Sequence, residues 1–129
     1  MKQSIYYLGF LILLSCNSSV SPVVPKIGEK FELAFNQKVT IPSEDIEIEF
    51  SDVLEDSRCP EGAACFWAGN AEIVAVFNDN EIHLNTYLEP KKVDLSGYNI
   101  ALISLVPYPK INQEIKKEEY TATLLVTKN

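Results

Sequence analysis

The sequence predicts an all-β fold: a single antiparallel β-sandwich or barrel-like domain of about seven strands behind an N-terminal signal helix. Three observations carry this. Apolar and polar residues alternate with period 2 in several short runs, turn-forming residues separate those runs, and no segment keeps a 3.6-residue apolar period over eleven or more positions between caps. Short strands spaced by turns build a sandwich or a barrel.

The strands follow in order. Lys30 to Phe35 alternates, with Phe31, Leu33 and Phe35 on one face and Glu32 on the other, and Val39 and Ile41 continue the pattern beyond Asn36-Gln37. Ile46, Ile48 and Phe50 are interleaved with Glu47 and Glu49, so one face of that strand meets water. Ala71 to Phe77 is nearly continuous in apolar residues and suits a central strand. Glu81 to Leu88 follows after Asn78-Asp79-Asn80, which predicts a hairpin with a three-residue loop. Asn99 to Val106 is a further apolar run stopped by Pro107-Tyr108-Pro109, and Tyr120 to Thr127 closes the chain with β-branched and aromatic residues. There is no internal repeat and no second domain.

Ahead of the strands, Lys2 precedes ten mostly apolar positions, Ile5 to Leu14, and the small residue Ser15 stands before Cys16. This is the order of an export signal. At ~1.5 Å per residue the apolar segment spans roughly 15 Å, about half of a ~30 Å hydrocarbon core, so it is too short for a spanning helix. Leu13-Leu14-Ser15-Cys16 resembles the bacterial lipobox, in which the signal is cut before the cysteine and the cysteine is acylated. A plain secretory signal cut elsewhere is the alternative. The resemblance implies three segments: residues 1–15 as signal peptide, 16–28 as acylated Cys16 and a flexible tether rich in serine and proline, and 29–129 as the β-domain. Each acyl CH₂ contributes roughly 0.8 kcal/mol, so two or three chains hold a protein stably at a bilayer. Asn17 stands where some proteobacterial lipoproteins carry a retention aspartate, so the resemblance favours the outer membrane of a bacterial envelope.

Composition excludes some partners. The chain has 18 acidic residues against 11 lysines and arginines, a formal net charge of −7, which repels nucleic acid. Of the three cysteines, the lipid would use Cys16, leaving Cys59 and Cys65 to pair in an oxidising compartment. By chain entropy alone such a short ring stabilises by roughly 2 kcal/mol. A metal site is the alternative, but two thiolates and the single histidine supply too few soft ligands for closed zinc coordination.

Residues 56–71 concentrate both of these cysteines, the only arginine and the only tryptophan. The pattern Asp56-Ser57-Arg58-Cys59-Pro60, a short spacer, then Cys65 and Trp67-Ala68-Gly69 resembles one found in small exported bacterial proteins, many of them lipoproteins of largely uncharacterised function. That resemblance implies a β-rich fold and hands over no activity. Arg58 can pair bidentately with a carboxylate such as Asp56, and Trp67 offers a broad apolar face. In a structural reading the segment is a stapled corner: Trp67 plugs the end of the core, Arg58 ties the loop to an acid, and Gly69 permits the turn into the Ala71 strand. In a functional reading the rigid loop is a recognition surface with Trp67 or Arg58 as its hot spot, and proline-flanked Tyr108 offers a second presenting loop. The structural reading is preferred, because a lone tryptophan beside a disulfide is a common core device in sandwiches.

Catalytic patterns are missing. His83 lies inside a strand pattern between Ile82 and Leu84, and there is no Gly-x-Ser-x-Gly, His-Glu-x-x-His or glycine-rich phosphate loop. Glu47 and Glu49 read as solvated charges, Asn78-Asp79-Asn80-Glu81 as a turn lacking EF-hand spacing, and Lys116-Lys117-Glu118-Glu119 as a solvated loop. The expectation is a lipid-anchored envelope protein, not an enzyme, with no metal or other cofactor. It would act as a binding or structural module whose partners are the membrane, through its acyl chains, and an envelope protein. A protease-inhibitor-like domain presenting the stapled loop to a secreted protease is the alternative, and an enzyme of unrecognised type is the third reading.

Overall fold

The computed structural model describes residues 24–129, so Cys16, the signal segment and most of the tether lie outside the described residues. Eight strands form two four-stranded antiparallel sheets that pack face to face as a sandwich, not a closed barrel. They are β1 (Lys30–Ala34), β2 (Lys38–Ile41), β3 (Ile46–Asp56), β4 (Ala71–Phe77), β5 (Asn80–Asn85), β6 (Lys92–Leu95), β7 (Tyr98–Val106) and β8 (Thr121–Lys128). One sheet runs β1-β8-β7-β6 and the other β2-β3-β4-β5. The alternating residues meet between them: Leu33, Ile48, Phe50, Ile73, Phe77, Leu84, Ile100, Leu124 and Val126 are all fully buried. Each such side chain stabilises the fold by roughly 1.5–3 kcal/mol.

Four strand expectations are corrected. β3 continues six residues beyond Phe50, because register shifts between Phe50 and Asp52 and between Val53 and Glu55 reverse the side-chain phase and bring Val53 into the core. β6 is a short edge strand that the sequence reading missed; Lys92 and Asp94 face water and only Val93 and Leu95 are partly covered. The loop joining β4 to β5 has two residues, not three: Asn80 pairs with Phe77, and Asn78 and Asp79 both take positive φ, as a type I′ hairpin turn requires. β5 stops at Asn85, short of Leu88. A further register shift between Leu102 and Ser104 reverses the side-chain phase within β7, so that Ile103 turns outward and Leu105 inward.

Polar clamps join the two sheets at opposite ends of the sandwich. At one end Tyr98 on β7 donates its hydroxyl to Glu44 at 2.7 Å, and Lys128 reaches the same carboxylate at 2.8 Å. The Lys128 and Tyr98 hydrogen bonds hold the Glu44 carboxyl below its ordinary pKa. The chain joins the domain at this end, where Ile27 packs on the core and the Gly28 N–H donates to the Val126 carbonyl at 2.8 Å. The other end carries the β3–β4, β5–β6 and β7–β8 connections, and with them the conspicuous motif.

Candidate functional site

The 57–70 segment extends the β3–β4 ladder before it closes. Ser57 N–H donates to the Asn70 carbonyl at 2.7 Å and Cys59 N–H to the Ala68 carbonyl at 2.9 Å. Cys59 and Cys65 are disulfide-bonded, with their Cα atoms 6.0 Å apart. Between them Ala63 N–H donates back to the Pro60 carbonyl, and Gly62, at φ +88°, takes the left-handed conformation that glycine adopts without strain. Gly69 is also left-handed, at φ +75°, and a Cβ there would overlap the Ser57 carbonyl. The turn into β4 therefore requires glycine, as expected.

Arg58 is the anchor of this loop. Its side chain is buried, and it donates from Nε to Asp56 Oδ1 at 2.8 Å and from Nη2 to Oδ2 at 2.7 Å, the bidentate pair the sequence suggested. Its remaining reach crosses to the other sheet, where Nη1 donates to the Leu105 carbonyl at 2.6 Å and Nη2 to the Pro107 carbonyl at 2.9 Å. The Tyr108 ring lies over the guanidinium, 4.9 Å from carbon to centroid. Tyr120 completes the cluster by donating its hydroxyl to Asp56 Oδ2 at 2.8 Å. Burial alone would raise the Asp56 pKa, but the hydrogen bonds from Arg58 and Tyr120 and the guanidinium charge outweigh it and leave it low. Burial first, and the Asp56 hydrogen bond second, push the Tyr120 phenol up to about 12.

The structure thus brings Asp56, Arg58 and Tyr108 together and places the disulfide beside them, but it separates Trp67. That side chain does not plug the core: it is half exposed and stands edge-to-face on Tyr87 with centroids 6.1 Å apart. The reason is which side chain fills this end. Arg58, not Trp67, is enclosed between the sheets at this end, and residues 61–68 are exposed. No family model, curated protein or solved structure matches this chain.

Three features of this end escaped the sequence reading. Phe66 projects completely into solvent next to Trp67. Asn70 is buried and organises the neighbouring connection: its Nδ2 donates to Asn85 Oδ1 at 2.7 Å, while its Oδ1 accepts the Tyr87 and Leu88 N–H groups, each at 3.1 Å. Tyr120 was legible only as the start of a strand. The one available signal was Asn70 itself, a polar residue between Gly69 and an apolar strand. The stapled loop is also laced to the β7–β8 connection, where Glu61 N–H donates to the Pro109 carbonyl at 2.9 Å.

Other candidates lie away from this end. His83 is partly exposed on the outer face of β5, its ring nitrogens 2.7 Å from Glu72 and 3.0 Å from Glu81. Glu47 pairs with Lys38 at 3.0 Å, Asn78 Oδ1 accepts the Glu47 N–H, and Lys117 reaches Asp52. Among the described residues no group of three or more histidine, cysteine, aspartate or glutamate side chains is arranged to hold a metal ion. An open groove of about 440 Å³ runs along edge strand β1 between Lys30, Phe31, Glu32 and Thr123.

Proposed function

We propose that this protein is a lipid-anchored component of a bacterial cell envelope, held through acylated Cys16, whose β-sandwich acts as a non-enzymatic binding module. The observation that carries the reading is the contrast at the Arg58 end: a buried, hydrogen-bonded anchor supports a loop whose aromatic residues face water. Arg58 makes four side-chain hydrogen bonds within the fold, so its donors serve the fold, while Trp67, Phe66 and Tyr87 leave large apolar surfaces uncovered. Pre-organised aromatic loops of this kind lose little entropy when a partner covers them. The tether and the loop complement each other, since the chain joins the fold beside Val126 and the loop projects from the opposite end. An anchor at the N-terminal end would leave the loop facing outward.

Two experiments test the two halves. Metabolic labelling with an alkyne fatty acid is expected to mark the protein and to fail in Cys16→Ser, which would also leave the membrane fraction; labelling that survives the substitution contradicts the anchor. Crosslinked capture from intact envelopes is expected to yield a partner that Trp67→Ala loses, and a partner equally retained by that variant contradicts the loop as the binding surface.

A further inference from the structure

Phe66 is the most exposed large apolar side chain among the described residues, with 109 % of its reference area accessible, yet its backbone is held on both sides. Cys65 before it is bonded to Cys59, and the Ala68 and Asn70 carbonyls after it accept the Cys59 and Ser57 N–H groups. Between the left-handed glycines Gly62 and Gly69 every residue keeps a negative φ, so the segment is a bent but ordinary peptide. From Gly62 to Asn70 the chain carries no charge, in a protein of formal net charge −7. A charge-free aromatic centre is the composition of an interface core.

The shape selects among partners. A flat surface would cover one side of a projecting ring and leave the other wet. A glycan needs polar side chains beside its aromatic platform, and residues 62–69 supply only the Trp67 indole N–H. A ring that stands alone on a fixed backbone is received whole by an apolar pocket of its own size. We propose that the Cys65-Phe66-Trp67 segment enters the cleft of a protease that cleaves after aromatic residues, with Phe66 in the specificity pocket and Trp67 against the rim. This narrows the binding-module reading and rests on it for the position of the surface. Both flanks of Phe66 are tied to the rest of the fold, so the loop can occupy a cleft in one conformation and lose little entropy in doing so.

The test is inhibition of chymotrypsin, subtilisin and trypsin by the full-length protein in detergent. Chymotrypsin and subtilisin are expected to be inhibited at micromolar protein and trypsin to be spared. Phe66→Ala should weaken that inhibition by about thirtyfold, the loss typical of a hot-spot anchor. Phe66→Lys should move inhibition to trypsin, whose pocket is floored by a carboxylate. Phe66 touches none of the core, so both variants are expected to fold. No inhibition of either apolar-pocket enzyme, or inhibition that Phe66→Ala leaves unchanged, overturns the proposal; so does Phe66-dependent flotation with phosphatidylglycerol vesicles, which would place the ring in a bilayer. A Trp67-dependent partner captured from envelopes in the absence of inhibition removes the protease and leaves the binding module, whereas neither result removes both.

Discussion

Arg58 Nη1 lies 2.6 Å from the carbonyl oxygen of Leu105, a residue 47 positions away on the opposite sheet. The bond makes one guanidinium the link between the β3–β4 loop and the end of β7, while Asp56 neutralises it from its own strand. Each side-chain nitrogen of this buried group has a partner, and among the described residues no buried side-chain nitrogen or oxygen lacks one. The loop is tied to both sheets through an anchor that is both paired and enclosed.

Removing one member of this pair leaves an uncompensated buried group. Arg58→Ala and Asp56→Asn are each expected to destabilise the fold by about 3–5 kcal/mol in urea titration. Arg58→Lys should recover little of this, since an ammonium cannot bond Asp56 at two points and still reach Leu105 and Pro107. A loss below about 1 kcal/mol for Arg58→Ala would mean that the clamp is not holding the sheets.

The same cluster sets a pH dependence at both extremes. Tyr120 is pushed up to about 12, above its ordinary value, so its contribution is complete below about pH 10 and is lost as pH rises through about 12. Asp56 is lowered, so its contribution is present above about pH 4 and is lost as pH falls through the lower folded value. In unfolding curves at graded pH, Tyr120→Phe is expected to show a shallower alkaline decline than the parent. Parallel alkaline limbs would contradict the hydrogen bond to Asp56.

On the outer face of the other sheet, the Glu72 hydrogen bond first and the Glu81 hydrogen bond second raise the His83 pKa above its ordinary value. The stabilisation it adds is present below about pH 6.5 and is lost as pH rises through the raised folded value. It is small, because the site is solvent-screened. NMR titration should find the imidazole pKa raised in the parent and closer to ordinary in Glu72→Gln; equal values in both would contradict the assignment.

At Gly69 a methyl group has no room. Gly69→Ala would set Cβ against the Ser57 carbonyl and within 2.7 Å of Arg58 Cα at a positive φ, so a loss well above about 1 kcal/mol is expected in thermal unfolding. Gly28→Ala shares the positive φ but meets open space, and it is expected to be markedly milder.

How much of this was legible follows from which forces are local. Alternation is a property of neighbouring residues, so the strands around Phe31, Ile48 and Ile73 could be read directly, as could the Asp56–Arg58 pair two residues apart. The β3 extension could not, because a bulge reverses the alternation that defines the strand. β6 lacks a buried run of its own and depends on its pairing with β7. The Leu105, Pro107 and Tyr120 partners of the cluster lie far along the chain, and only the packing of the two sheets brings them to Arg58 and Asp56. Trp67 was misplaced for the same reason: its exposure depends on Arg58 having taken the space between the sheets.

The most direct test of the loop as a recognition surface is photocrosslinking in intact envelopes, with a benzophenone amino acid placed at Trp67 or, as control, at Glu47 on the acidic outer face. A discrete crosslinked protein is expected from position 67, lost when Phe66→Ala is added, and none from position 47. Crosslinks of the same pattern from both positions, or products only with lipid, would contradict it.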